Sequence, residues 1–250
     1  MSFIVDSHVH IYPEFDVSLA LRSGISNLKA LSPSSVPILC ITRTPREDTI
    51  SKLRDGRLGV PGFQVVEAYP ASLKIESQAG EILYVVCGRQ YATAEKIEVL
   101  GIGLDNDDDQ KLSLGERVAE IQATGALAVI PWSLGKWWGS RGRFLKTFLK
   151  TDLAELTLGD IPLRVSGAPV GAGVKSALPV LRGSDPLPFS GEERRIGSFA
   201  NLFEGEFDPK SPVSSIVGKL GRNSTLCGNH DSYPIATKRV IRFYQRKASN

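Results

Sequence analysis

His8 and His10 stand two residues apart at the end of a short apolar run, Phe3-Ile4-Val5. In a β-strand, residues i and i+2 project from the same face. Two imidazoles leaving one face are half of a tetrahedral or octahedral metal site. The competing reading is a pair of polar residues on an edge strand. The chain has 3 histidines in 250 residues, so most of its imidazole is spent at this one point. A second group with chemical potential is the stretch Gly135-Lys136-Trp137-Trp138-Gly139-Ser140-Arg141-Gly142-Arg143, which follows Trp132. Lys136, Arg141 and Arg143 could clamp a phosphate or carboxylate, and a helix starting near Gly142 would aim its N-terminus at the anion. Against that stands a solvated loop whose tryptophans pack on neighbouring structure.

These groups need elements to hold them. The run entering His8 and His10 reads as a first strand, with a helix over 17–31 after it. Compact apolar segments at 36–41, 63–67, 97–102, 127–130, 156–158, 178–181 and 196–202 read as strands, and 72–77 with 81–86 as a hairpin around Gln78-Ala79-Gly80. Helices are expected at 45–57, from Ser113 to about Gly125, at 142–150, at 212–220 and in the basic tail, 238–247. Ser113 with Glu116 forms a capping-box pattern, and Leu114, Val118 and Ile121 follow at helical spacing. Residues 166–176, rich in Gly, Ala and Ser, read as a loop or a glycine-broken helix. Strand-then-helix order favours a parallel sheet covered by helices, with chemistry at the carboxyl ends of the strands. Asp160, after the short segment 156–158, can add an oxygen ligand there.

Composition sets the outer limits. The hydrophobic and charged fractions, 42% and 23%, are those of an ordinary globular protein. At this length one barrel-sized domain over residues 1–250 is the expectation. The formal net charge of +3 gives no bulk drive toward nucleic acid or membrane, so neither is expected as a partner. The 3 cysteines are scattered without a Cys-x-x-Cys, and no leader-like segment opens the chain, which suits a reducing, cytoplasmic setting. Gly228-Asn229-His230-Asp231 matches one signature of calcineurin-like phosphoesterases, and Asp6-x-His8 and Gly159-Asp160 mimic two more, but the further histidines that this family needs are missing, so a turn is expected.

Val5-Asp6-Ser7-His8-Val9-His10 resembles the opening strand of the PHP (polymerase and histidinol phosphatase) family and of the wider amidohydrolase group. Three later segments resemble PHP motifs in the same order. They are Val86-Cys87-Gly88-Arg89-Gln90 with the hairpin strand Lys96 to Gly101 after it, Thr124 to Trp132, and Arg182-Gly183-Ser184-Asp185-Pro186-Leu187. The resemblance implies an α/β fold, a distorted TIM-like barrel of the (βα)7 type with PHP-like topology. It also implies divalent metals and hydrolysis, most often of phosphoesters. His8, His10 and Asp185 match family ligands. Gln90 stands at a bridging glutamate, Glu98 at a histidine, and Trp132 and Leu187 at two more histidines. A glutamine carbonyl is a weaker ligand, and tryptophan and leucine bind no metal.

The ligand set expected is therefore His8, His10 and Asp185, with Glu98 and Asp160 as further oxygens. It suits one or two ions of zinc, manganese or iron. In amidohydrolase-like sites the late aspartate takes the proton of a metal-activated water, which makes Asp185 the candidate base. Gln90, Trp132, Lys136, Arg141, Arg143 and Arg164 are expected around a small anionic substrate. The alternative is a non-catalytic PHP-like barrel with a degraded metal site that binds a ligand or a partner protein.

Overall fold

The computed structural model describes residues 1–44, 47–106, 110–133, 137–150, 156–164, 178–220 and 224–249. Lys136 and the Gly-, Ala- and Ser-rich stretch at 166–176 lie outside them. The sheet is built along the path β11-β10-β1-β2-β5-β6-β7-β8-β9. Its strands are β1 (Ser2–Val9), β2 (Val36–Arg43), β5 (Ile82–Ala92), β6 (Glu98–Ile102), β7 (Leu127–Pro131), β8 (Thr157–Asp160), β9 (Val180–Arg182), β10 (Ala200–Glu204) and β11 (Ser224–Cys227). Two more, β3 (Phe63–Tyr69) and β4 (Ser72–Ser77), extend it sideways: β3 pairs with β4, and β4 forms the expected hairpin with β5.

The path curls until its ends nearly meet. Asn201 on β10 accepts from the Arg182 amide at 2.6 Å and donates to the Val180 carbonyl at 3.0 Å. Ser7 donates to the Arg182 carbonyl at 3.0 Å, and the Asp185 amide donates to the His8 carbonyl at 2.9 Å. The result is a nearly closed barrel-like sheet.

A strict (βα)7 repeat is not what forms. β1, β2, β5, β7, β8 and β9 run one way, joined by parallel pairs β1–β2, β2–β5, β7–β8 and β8–β9. β6 runs against both β5 and β7, and β10 against β1. The physical reason is connection length. Only a few residues separate β5 from β6, and a parallel crossover needs a dozen or more. The reversal has a consequence for function: Glu98 begins β6 opposite Ala92, which ends β5, so both lie at the end of the barrel where the parallel strands finish.

Three apolar layers hold this arrangement. The barrel interior contains Phe3, Val5, Ile38, Cys40, Val86, Leu100, Val129 and Leu181. Outside it, α1 (Val17–Leu31) packs Ala20, Leu21, Ile25 and Leu28 against Ile4, Leu39 and Val85. The Asp16 side chain caps α1 by accepting from the Leu19 amide at 3.0 Å. On the other flank α3 (Leu114–Ala123) buries Leu114, Val118 and Ile121, and it carries the expected capping box between Ser113 and Glu116. The remaining helices are α2 (Thr49–Arg54), α4 (Gly139–Phe148), α5 (Pro212–Val217) and α6 (Tyr233–Ser249). No described helix is long and apolar enough to cross a membrane.

Candidate metal centre

β1 reaches the site through an irregularity. Phe3 and Val5 face the barrel interior and Ile4 faces α1. Past the register shift between Asp6 and Val9 the parity is exchanged: Val9 and Ile11 now join the α1 layer. His8 and His10 are thereby turned inward. Without this bulge they would share the outward face of Ile4.

The two Nε2 atoms lie 3.0 Å apart in a buried position. Cis ligands about 2.1 Å from an ion and at right angles would be ~3.0 Å apart, so this spacing fits a shared ion. Asp185 Oδ1 stands 3.7 Å from His8 Nε2, and His8, His10 and Asp185 all present a ligand atom within 4.8 Å of one another. Gln90 Oε1 is 3.2 Å from His10 Nε2, so the carbonyl of this glutamine joins the donor set. His10 Nδ1 is buried without a hydrogen-bond partner. Burial, and then the charge of His8, push the His10 imidazole down to about 4, which keeps it in the neutral form that a ligand requires. Two imidazoles, a carboxylate and an amide oxygen suit a borderline divalent ion.

Asp185 adopts φ 38°, a left-handed conformation uncommon for a side chain with a Cβ. Its position is fixed from both sides. Its amide bonds the His8 carbonyl, and the residue before it is tied to β1 by Asp6. Asp6 is wholly buried. Its carboxylate accepts from the amides of Gly197 (2.8 Å), Ser184 (2.9 Å) and His8 (3.3 Å). Burial pushes the Asp6 carboxyl up to about 7, against the pull of these hydrogen bonds. Asp6 stands in the segment that carries the resemblance, two residues before His8, but was assigned no role from the sequence.

The donors open into a cleft of about 480 Å³ lined by Tyr12, Glu98, Ser133, Arg141, Leu187 and Tyr244 among others. Glu98 accepts from Gln90 Nε2 at 3.4 Å and from Ser133 Oγ at 2.9 Å, so it lies beside the donor set and is steered by both. Arg141 comes from the first turns of α4. Tyr12, Ser133, Phe243 and Tyr244 were not foreseen. The last two belong to the basic tail, whose amphipathic pattern announced a helix and no site.

Several expected residues stand elsewhere. Asp160 does not meet the histidine pair. Its Oδ2 lies 2.9 Å from Arg164 Nη2 and 3.0 Å from His230 Nε2, in a buried network that also occupies Arg164. Trp132 packs in the apolar layer with Val99, Ile130 and Leu158, because its ring falls on the outer flank of β7. Arg143 is exposed on α4 and does not line the cleft, and Lys136 lies outside the described residues.

No family model matches the chain, and no curated protein sequence is similar to it. Solved structures do share its fold. PsfC from Pseudomonas syringae PB-5123 aligns with TM-score 0.62 and 14% identity, over 98% of each chain. The lesion-specific endonuclease PfuEndoQ from Pyrococcus furiosus aligns with TM-score 0.52 and 13% identity over 90% of this chain, which spans 58% of that protein. An Endonuclease Q bound to a 27-mer duplex with an abasic lesion aligns with TM-score 0.47 and 12% identity, over 87% of this chain and 57% of that one. PsfC and Endonuclease Q are PHP-fold proteins, so the likeness is a distant one to that fold. The expectation that nucleic acid is excluded as a partner does not stand: PfuEndoQ, which shares this fold, is a lesion-specific endonuclease. Net charge was the wrong criterion, because a site reads local charge and shape and the chain total averages both away.

Proposed function

We propose that the chain is a metal-dependent hydrolase acting on a phosphoester or another small anionic substrate. The observation that carries this reading is the convergence of His8 Nε2, His10 Nε2 and the Asp185 carboxylate in one cleft at the carboxyl end of the parallel strands. His8, His10 and Asp185 would hold the ion, with the Gln90 carbonyl as a neutral fourth donor. A bound zinc, manganese or iron ion supplies Lewis acidity and a water of lowered pKa. Asp185, partly open to the cleft, takes the proton of the attacking water. Arg141 draws the anionic group toward the floor. Glu98, held by Gln90 and Ser133, keeps the glutamine amide turned so that its oxygen faces His10. The distant likeness to PHP-fold proteins is consistent with this chemistry.

The wild-type protein, loaded with zinc, manganese or iron and desalted, is expected to retain about one ion per chain by elemental analysis, and His8→Ala/His10→Ala none. A wild-type protein that retains no ion sinks the reading and leaves the ligand-binding barrel. Asp185→Asn removes the proton acceptor and keeps the size of the side chain. Turnover of a phosphoester should fall by about 10²- to 10⁴-fold while the unfolding transition stays in place. Full activity in that protein would take Asp185 out of the mechanism.

A further inference from the structure

The floor and the walls of the cleft differ in chemistry. The floor is polar and buried: His8 and His10 are 4% and 2% exposed. The outer wall is aromatic. Tyr12 packs beside His10, their ring centroids 5.4 Å apart, and α6 contributes Phe243 and Tyr244, whose rings are also 5.4 Å apart. Tyr244 remains 56% exposed, a large apolar surface left facing water at the mouth of a site. Leu187 and Pro188 continue this wall.

α6 holds the wall in place. Arg239 is buried and bonds Glu192 at 3.0 Å and Asp231 at 2.6 Å. Further along the helix, Arg246 meets Glu14 at 3.3 Å, which links α6 to the loop between β1 and α1. The helix that carries the aromatic rings is thus anchored beside the histidine pair, and an anchored surface loses less entropy on binding than a free one.

We infer that this wall is a subsite for a planar ring, so that the substrate is a phosphoester whose organic part carries an aromatic or heteroaromatic group; this rests on the hydrolase reading above. The phosphoryl group sits at the histidine pair and Arg141, and the ring lies against Phe243 and Tyr244. A small hydroxyl-rich organic part, such as glycerol, would give up hydrogen bonds to water against the Phe243, Leu187 and Pro188 side chains and cover little of their area. A ring buries area there and adds the directional attraction between aromatic groups.

The test compares 2-phenylethyl phosphate with propyl phosphate. Both leave as alkoxides of similar basicity, so their ratio of kcat/KM reads the ring and not the leaving group. The ratio is expected to be about tenfold in the wild type, to fall to about threefold or less in Phe243→Leu, and to return in Phe243→Tyr. Equal turnover of the two esters, or a ratio unchanged in Phe243→Leu, overturns the subsite. A protein that hydrolyses neither ester counts against the hydrolase reading alone. Calorimetry with 2-phenylethylphosphonate and propylphosphonate then decides the subsite: binding about tenfold tighter for the first supports it, and equal or absent binding overturns it.

Discussion

An Asp6→Ala protein is expected to lose about 3–5 kcal/mol of stability and its metal together, although Asp6 touches no ion. The carboxylate is the common acceptor for three amides from three separate segments: His8 on β1, Ser184 after β9, and Gly197 before β10. All three meet in a place where Asp6 itself is 0% exposed. A buried donor left without a partner costs about 1–3 kcal/mol, and three such costs are of the order of a domain's whole stability margin. The effect on the metal follows from where the three segments lead. His8 is the first of the proposed ligands, Ser184 precedes Asp185, and the Gly197 segment lies behind them, bonded to the same carboxylate. Asp6→Asn separates the two effects. Its carbonyl can still serve the His8 and Ser184 amides, while its amide group would face the Gly197 N–H donor to donor. Stability should then fall by about 1–3 kcal/mol, with metal affinity reduced and not abolished. Urea unfolding and metal titration on both proteins check this. An Asp6→Ala protein with a wild-type unfolding midpoint would show that the three amides find other partners.

The histidine pair was legible because a period of two is a local property of a strand. What the period cannot give is which face the pair occupies. That was decided by the bulge between Asp6 and Val9, which exchanges the parity of β1 after Val5. Strand direction was hidden for a similar reason. Residues 97–102 look like any buried strand, and only the resemblance marked them as the hairpin partner of the strand before; physically, the short connection from β5 forces β6 to run backward and carry Glu98 to the site. Asp160 was placed wrongly at the pair because its partner His230 lies 70 residues away in sequence, and such a contact leaves no local trace. The isolated Gly-Asn-His-Asp motif turns out to supply that partner. Phe243 and Tyr244 were invisible for the opposite reason: a basic amphipathic helix explains its own pattern without any reference to a cleft. Asp185 came from resemblance alone. Its left-handed backbone is a signal that appears only in three dimensions.

The same closeness of β1 to the loop after β9 makes Gly183 intolerant of a side chain. A Cβ on Gly183 would lie 2.4 Å from His8 Cβ, 2.5 Å from the His8 amide nitrogen and 2.9 Å from His8 Cα. None of these atoms is the tip of a flexible side chain, so the strand and the loop have to part. The Gly183 amide is bonded to the Asp160 carbonyl at 2.9 Å, and the Asp185 amide to the His8 carbonyl at the same distance, so the loop cannot retreat without losing one of them. Overpacking of this kind costs about 1–3 kcal/mol, and here the displacement falls on the distance between His8 and Asp185. Gly183→Ala is therefore expected to stay folded with a lowered midpoint and to bind metal at least about tenfold more weakly, since a ligand carboxylate moved by even part of an ångström leaves the narrow range that a first-row ion accepts. Gly59→Ala is the control. Nothing lies within 4 Å of a Cβ built there, and stability should be unchanged or raised by about 0.4–1 kcal/mol. If Gly183→Ala held its ion as tightly as the wild type, the approach of the two segments would be irrelevant to the site, and the geometry ascribed to His8 and Asp185 would have to be abandoned.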